Sequence, residues 1–182
     1  VRLMIDRIRY AFALRAVREA VASRHPQPLP ADVSSRRVLL ILPRDEDGQR
    51  ATWDFVRSIR LDSRCVIPVG FGSTGVGVPD AFAGAVRILG DDELDWRRLP
   101  KPSALESVWT QRPDVVVCVA DATDRGVALL AGGAPAAVRL GRHSKDREGC
   151  FDLMVRGATD ATSAVASMAQ LLRQLDPPIL PL

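Results

Sequence analysis

The fold of this chain is decided by Pro113-Asp114-Val115-Val116-Val117-Cys118-Val119. Five consecutive apolar residues follow a Pro-Asp start, and a strand that is apolar on both faces needs a covering layer on each side. The segment therefore predicts a central strand of a mostly parallel sheet.

Strand and helix patterns alternate on both sides of this segment. Apolar runs predict strands over 38–42, 64–69, 85–89, 136–140 and 151–155, and helical spacing predicts helices over 49–60, 103–109, 124–131 and 159–175. Ser103 and Glu106 have the spacing of a capping box, and Thr123 or Asp124 can cap the following helix. This alternation predicts a three-layer α/β/α sandwich with a mostly parallel, Rossmann-like or flavodoxin-like sheet.

A basic helical arm precedes this body. Residues 2–24 contain no proline or glycine, and His25-Pro26-Gln27-Pro28-Leu29-Pro30 ends the helix. We expect four segments: a basic helix over 1–25, a proline-rich linker over 26–36, an α/β domain over 37–176 and a tail over 177–182. The formal charge of the whole chain is +3, whereas residues 1–25 hold six arginines and two carboxylates, a net charge of +4. The arm therefore carries the basic character of the chain.

The apolar residues of the arm form two stripes at 100° per residue. One holds Leu3, Tyr10, Leu14, Val17 and Val21, and the other, about half a turn away, holds Ile5, Ile8 and Phe12. A helix that lies on a membrane surface segregates its cations onto one face, whereas these arginines lie between and around the stripes. The pattern favours a helix packed against protein on two sides. Five arginines are candidate partner contacts: Arg2, Arg7, Arg9, Arg15 and Arg18.

Several classes of protein are disfavoured. No apolar run reaches the roughly 18 residues of a membrane span, and the first residues do not resemble a secretory signal, so we expect a cytoplasmic protein. Cys65, Cys118 and Cys150 are widely separated, which favours reduced packing residues over a disulfide framework or a zinc site. The sequence predicts no metal, no cofactor and no catalytic residue.

Loops that follow the strands are the places where a ligand would bind, since open α/β sheets bind at the carboxyl ends of their strands. Gly70–Gly75 spells G-x-G-x-x-G, but it follows the second strand and Val-Gly-Val-Pro comes next, which favours a plain loop. Acidic residues at 45–47 and 91–93 favour solvated helix starts over a cation site. The densest cluster of polar residues is 139–147. The candidate anion-binding residues are Asp121, Arg142, His143, Ser144 and Lys145.

A resemblance accompanies these residues. Through Gly141-Arg142-His143-Ser144 and the later Asp152-Leu153-Met154, the chain resembles a conserved bacterial family catalogued only as a domain of unknown function. The family pattern also includes Pro113, Asp114 and Asp121, and an aromatic residue is common where this chain has His143. The resemblance implies an α/β fold with a basic first helix and implies no activity. The order of strands and helices also resembles half of a two-domain glycosyltransferase, a likeness of fold alone.

Three hypotheses for function remain open. In the first, which the charge favours, a non-enzymatic protein docks its basic helix on a protein or an RNA or ribonucleoprotein partner. In the second, the strand-end loops bind a phosphorylated or nucleotide-linked small molecule, as a binding domain or a transferase-like enzyme. In the third, the helix joins two copies of the chain into a homodimer.

Overall fold

The computed structural model describes residues 2–25, 27–30, 35–58, 62–72, 77–120, 124–143, 149–156 and 161–174. At its centre lies a sheet of six parallel strands in the order β3-β2-β1-β4-β5-β6. The strands are β1 (Val38–Ile41), β2 (Val66–Phe71), β3 (Arg87–Leu89), β4 (Val115–Cys118), β5 (Val138–Arg142) and β6 (Leu153–Val155). The predicted fold class is confirmed, and β4 lies at the centre of the sheet beside β1.

Within the described residues, five α-helices cover the two faces of the sheet. They are α1 (Arg2–Ser23), α2 (Glu46–Ser58), α3 (Pro102–Trp109), α4 (Arg125–Gly132) and α5 (Ala161–Gln174). Helices α1, α3 and α4 share one apolar core with alternate residues of the sheet, and α2 and α5 share the other. Within the described part of the chain, no helix has both the length and the apolar character needed to cross a bilayer.

Successive residues of the central strands belong alternately to the two cores. Leu39 and Ile41 belong to the core beneath α1, α3 and α4, whereas Leu40 and Val117 belong to the core beneath α2 and α5. Successive side chains of a strand point to opposite faces, so a strand between two helical layers must be apolar at every position. This requirement explains the uninterrupted apolar runs in the sequence.

Helix α1 packs alongside α4 and runs parallel to it. A Cβ atom on Gly132 would lie 2.9 Å from Cγ2 of Val21, and the guanidinium of Arg125 lies 4.2 Å from the ring centroid of Tyr10. Val21 is therefore level with the end of α4, and Leu14 is level with its start. At a rise of 1.5 Å per residue, about three turns of α1 extend beyond the first residue of α4, past the carboxyl edge of the sheet.

The predicted capping box of α3 is wrong. Helix α3 begins at Pro102, its N-cap is Lys101, and no side chain caps it. Proline is well suited to the first position of a helix because its φ is already helical and its missing N–H costs nothing there. Pro102 therefore starts the helix one residue early, and Ser103 lies inside the first turn. By contrast, Asp124, one of the two residues predicted as candidates, caps α4.

Several strand limits also differ from the prediction. Strand β2 begins at Val66 because Asp62 caps a 3-10 turn over Ser63–Cys65, and its side chain accepts a hydrogen bond from the N–H of Arg64. Strand β5 spans Val138–Arg142, two residues later than predicted.

Candidate functional site

The usual ligand position of this topology is the gap between β1 and β4. Strand order reverses there, and in open parallel sheets ligands bind outside the carboxyl ends of the strands at such a point. An ion pair spans this gap, since Nη2 of Arg44 lies 2.9 Å from Oδ2 of Asp124. The Arg44 guanidinium also lies 5.8 Å from the ring centroid of Phe71, at the end of β2. The protein's own side chains thus occupy this edge of the sheet.

Carboxylates of the chain also occupy the two helix starts at this edge. Oδ1 of Asp45 accepts a hydrogen bond of 2.6 Å from the N–H of Gly48 in the first turn of α2. Oδ1 of Asp124 accepts hydrogen bonds of 2.9 Å and 3.2 Å from the N–H groups of Gly126 and Val127. Phosphates bind to such free N–H groups at helix starts. The capping carboxylates therefore compete with a phosphate for the positions that a nucleotide-binding sheet leaves open.

The glycine motif does not restore a phosphate site. Gly70 lies within β2 and is not the start of a turn, and Gly72 ends the strand with a φ of +70°. Residues 73–76 lie outside the described part. The loop predicted to start at Gly70 therefore starts at Gly72, because Gly70 and Phe71 belong to β2.

The structure describes only two of the predicted anion-binding residues. Arg142 and His143 are half-buried at the end of β5, and the N–H of His143 donates a hydrogen bond of 2.9 Å to the carbonyl of Val155. Strand β5 lies next to β4, so the loop that carries Asp121 starts at the same edge of the sheet. Asp121, Ser144 and Lys145 lie outside the described residues. Among the described residues, no cluster of histidine, cysteine and carboxylate side chains could hold a metal ion.

The two motifs that carry the family resemblance meet in a structural network. A Cβ atom on Gly141 would lie 2.6 Å from two ring atoms of Phe151, so the ring rests directly on the glycine. Oδ2 of Asp152 accepts hydrogen bonds from the backbone N–H of Arg139 at 2.9 Å and from its Nη1 at 3.0 Å. Oδ1 of Asp152 accepts a hydrogen bond of 3.2 Å from Nη2 of Arg24. Gly141 and Asp152 therefore have packing and tethering roles, and Asp152 joins the end of the arm to the sheet.

Arg139 is the buried member of this network. Burial and the neighbouring charge of Arg24 lower the pKa of Arg139, and the carboxylate of Asp152 offsets part of that effect. Nη2 of Arg139 also donates a hydrogen bond of 2.6 Å to the carbonyl of Ala134. These partners offset the cost of burying the charged guanidinium.

The predicted arginines of the arm divide into inward and outward positions. Arg9 is half-buried and lies 3.9 Å from Asp6, whereas Arg7, Arg15 and Arg18 are exposed. Nε of Arg15 donates a hydrogen bond of 2.7 Å to Glu19. Arg2 lies in α1, and its side chain is outside the described part. Three of the five predicted cations therefore face away from the protein.

The two apolar stripes of α1 have different surroundings. Val17 is buried against the body, and Leu14 and Val21 of the same stripe are half-buried. In the other stripe, 42% of Ile8 and 49% of Phe12 are exposed, and Met4 continues this face with 68% exposed. The body therefore buries the first stripe from Leu14 to Val21, whereas Tyr10 of that stripe is 39% exposed and the side chains of Leu3 and Ile5 lie outside the described part. The second protein contact predicted for the arm is not supplied by the described residues of this chain.

A tryptophan of the body extends the exposed stripe. Trp96 is 58% exposed, and its ring lies edge-on to that of Phe12, with 6.1 Å between the centroids and 65° between the planes. We call this apolar patch and the exposed cations around it the arm surface. It consists of Met4, Ile8, Phe12 and Trp96 together with Arg7, Arg15 and Arg18. Sequence analysis missed Trp96 because only the folded chain brings it beside α1.

The turn that carries Trp96 is held by many hydrogen bonds. Asp95 accepts hydrogen bonds from the N–H groups of Arg97 at 2.7 Å and Leu99 at 3.1 Å, and from Nε of Arg97 at 2.7 Å. The N–H of Asp95 donates a hydrogen bond of 2.8 Å to the carbonyl of Leu99, and Arg98 adopts a φ of +64°. Trp96 is therefore presented on a preorganised turn.

Comparisons with family models, curated proteins and solved structures gave no significant match to this chain.

Proposed function

We propose that this chain is a non-enzymatic binding protein that docks an acidic protein partner on the arm surface. One observation carries the proposal: α1 buries one apolar stripe on its own body and leaves the other exposed beside Trp96, among outward-facing arginines. Exposed apolar patches rimmed by polar groups mark interaction sites, and tryptophan and arginine are enriched among the residues that dominate binding energy.

Charge favours an acidic partner over a second copy of the chain. The arm has a net charge of +4, and its two carboxylates, Asp6 and Glu19, already lie beside Arg9 and Arg15. A symmetric dimer would bring the same surface of each copy together and place like charges opposite one another. An acidic partner gains from these arginines instead.

The chemistry of the exposed residues favours protein over RNA. Met4 and Ile8 are aliphatic and offer no flat face for a base, and Trp96 and Phe12 are arranged edge-on to each other. Proteins that bind single-stranded RNA stack bases on the flat faces of aromatic side chains. Aliphatic and aromatic groups inside a rim of cations suit the core and rim of a protein interface.

Two further parts of the proposal concern the carboxyl edge of the sheet and the cellular location of the protein. An ion pair joins Arg44 and Asp124 at the carboxyl edge, and carboxylates cap the two helix starts there. These features argue against a phosphorylated ligand at that edge and support binding of a protein at the arm surface instead. Cys65, Cys118 and Cys150 are widely separated in the sequence and lack the paired spacing of a disulfide framework, which supports a reducing compartment, so the proposal includes a cytoplasmic location.

Site-specific cross-linking tests the proposal. A photoreactive amino acid is placed at Ile8, on the arm surface, and in a matched protein at Arg64, which is exposed before the amino end of β2. After irradiation in an extract of source cells, we expect adducts with acidic proteins from position 8, and we expect high salt to suppress them.

Each other outcome argues against the proposal. A covalent dimer would identify a second copy as the occupant, and an adduct lost on ribonuclease treatment would identify RNA. Equal adducts from the two positions, or none from position 8, would show that the arm surface docks no specific protein.

A further inference from the structure

The exposed stripe of α1 has the geometry of a helix-packing ridge. Met4, Ile8 and Phe12 follow one another at four-residue spacing, and rows of this spacing are the ridges that interlock when two helices pack together. Eight residues separate the first member from the last, about 12 Å along the axis at 1.5 Å per residue. This length equals slightly more than two turns of a partner helix.

Trp96 extends the apolar surface beside this ridge. Its indole lies against Phe12 and stands on the turn held by Asp95, so it keeps its place beside α1 without a partner. A side chain that is ordered before binding loses less conformational entropy on binding. A helix packed on the ridge beside Phe12 would cover part of this exposed indole.

The cations of the arm surface define the flanks of such a helix. Arg15 and Arg18 follow the ridge toward the end of α1, and Arg7 lies beside its start. A partner helix that presents apolar residues to the ridge would place its flanking positions near these guanidinium groups. Asp and Glu at those positions would form charge-assisted hydrogen bonds with them.

We propose that the arm surface binds an acidic amphipathic helix of the partner, laid along Met4, Ile8 and Phe12 with Trp96 at its side. This inference rests on the proposed function and names the partner's element. The partner helix would contact the ridge through its apolar face, with apolar residues at i, i+3 or i+4 and i+7 as the anchors. The flanking carboxylates set the orientation and speed the association.

A synthetic peptide provides the test with the full chain. The probe is a helix of about 18 residues, long enough to be partly helical in water, with leucine on one face and glutamate on the other. Two matched probes have the same composition in scrambled order or lysine in place of glutamate. Binding is measured by calorimetry and by the fluorescence of Trp96. Trp53 is fully buried and Trp109 is half-buried, so the fluorescence change is assigned to Trp96 only where Trp96→Ala abolishes it.

We expect the glutamate helix to bind at least tenfold more tightly than either matched probe. Phe12→Ala and Trp96→Ala should each weaken its binding by roughly thirtyfold, the effect of losing an interface anchor. Leu153→Ala removes an exposed apolar side chain of β6 and is the matched control, which should leave the affinity unchanged. Circular dichroism of each variant checks that it folds.

Equal affinity for the ordered and scrambled peptides, or full binding by Phe12→Ala and Trp96→Ala, would overturn the inference. If the glutamate helix does not bind while position 8 still forms adducts with acidic proteins, the partner's element is not a helix and the proposed function stands. If a mixed-sequence single-stranded RNA binds the arm surface and the peptide does not, both proposals fail.

Discussion

Replacing Asp152 with alanine should destabilise the protein strongly. Its carboxylate accepts three hydrogen bonds, two from Arg139 and one from Arg24. The Arg139 side chain is only 2% exposed, whereas that of Asp152 is 34% exposed. Removal of the carboxylate therefore leaves a buried guanidinium without its counter-charge.

The magnitude follows from the burial of this pair. Breaking a buried ion pair costs about 3–5 kcal/mol, and the lower end applies because water can reach the Asp152 position and Ala134 still accepts one hydrogen bond from Arg139. A loss of about 3 kcal/mol corresponds to a fall in melting temperature of roughly 6–12 °C for a chain of this size. The measurement is thermal unfolding followed by circular dichroism, with urea unfolding for the free energy.

Two further variants test whether the loss of stability comes from this network or from the removal of any aspartate. Asp54→Ala removes the partner of an exposed ion pair with Arg57, and it should change the free energy of unfolding by less than about 0.5 kcal/mol. Adding Arg139→Met to Asp152→Ala removes the buried charge and should restore much of the stability. If Asp152→Ala proves no more destabilising than Asp54→Ala, the tethering role of Asp152 is refuted.

Three other predictions concern packing, pH and ligands. Gly141→Ala should cost about 1–3 kcal/mol in urea unfolding because its Cβ would meet the ring of Phe151, and Phe151→Leu should relieve part of that cost; an unchanged midpoint for the single variant would contradict this. Burial raises the pKa of Asp95, but the hydrogen bonds from Leu99 and Arg97 outweigh it and lower the pKa overall. The stabilisation of this turn by the Asp95 carboxylate is therefore present at neutral pH and lost as pH falls through the lowered pKa. Trp96 fluorescence should change only below pH of about 4, and a transition at higher pH would argue against Asp95 as its cause. ATP and NAD should leave the melting temperature unchanged because carboxylates already cap both helix starts, whereas a rise that grows with ligand concentration would show a nucleotide site.

Local sequence pattern was enough to predict the sheet. Runs such as Val115–Cys118 are apolar at every position because both faces of the strand are covered, and that requirement is visible in the sequence. The cap of α4 was also predictable, since Asp124 acts on groups two and three residues away. The cap of α3 was not predictable in this way, because Pro102 and Ser103 both favour a helix start. The proline determined the first residue of the helix.

The arrangement of the candidate sites depends on contacts that are distant in sequence. Arg24 and Asp152 are 128 residues apart, and Arg44 and Asp124 are 80 apart, so no local pattern pairs them. The two stripes of α1 were visible from helical periodicity, but which stripe the body buries depends on the placement of α4. Trp96 offered no signal of its own, because a tryptophan in an acidic connection is equally compatible with a core position.

Reversing the charge of the arm surface and, separately, of the body shows whether the partner docks on α1. Arg7→Glu/Arg15→Glu/Arg18→Glu reverses the exposed cations of the arm, and Arg57→Glu/Arg64→Glu/Arg156→Glu makes the same change in net charge at exposed positions of the body. With the photoreactive group at position 8, we predict that the arm variant loses at least nine-tenths of its adducts with acidic proteins, about the tenfold effect of 1.4 kcal/mol. The body variant should keep most of them. Equal losses in the two variants would mean that net charge alone governs the association, and equal retention would mean that α1 is not where the partner docks.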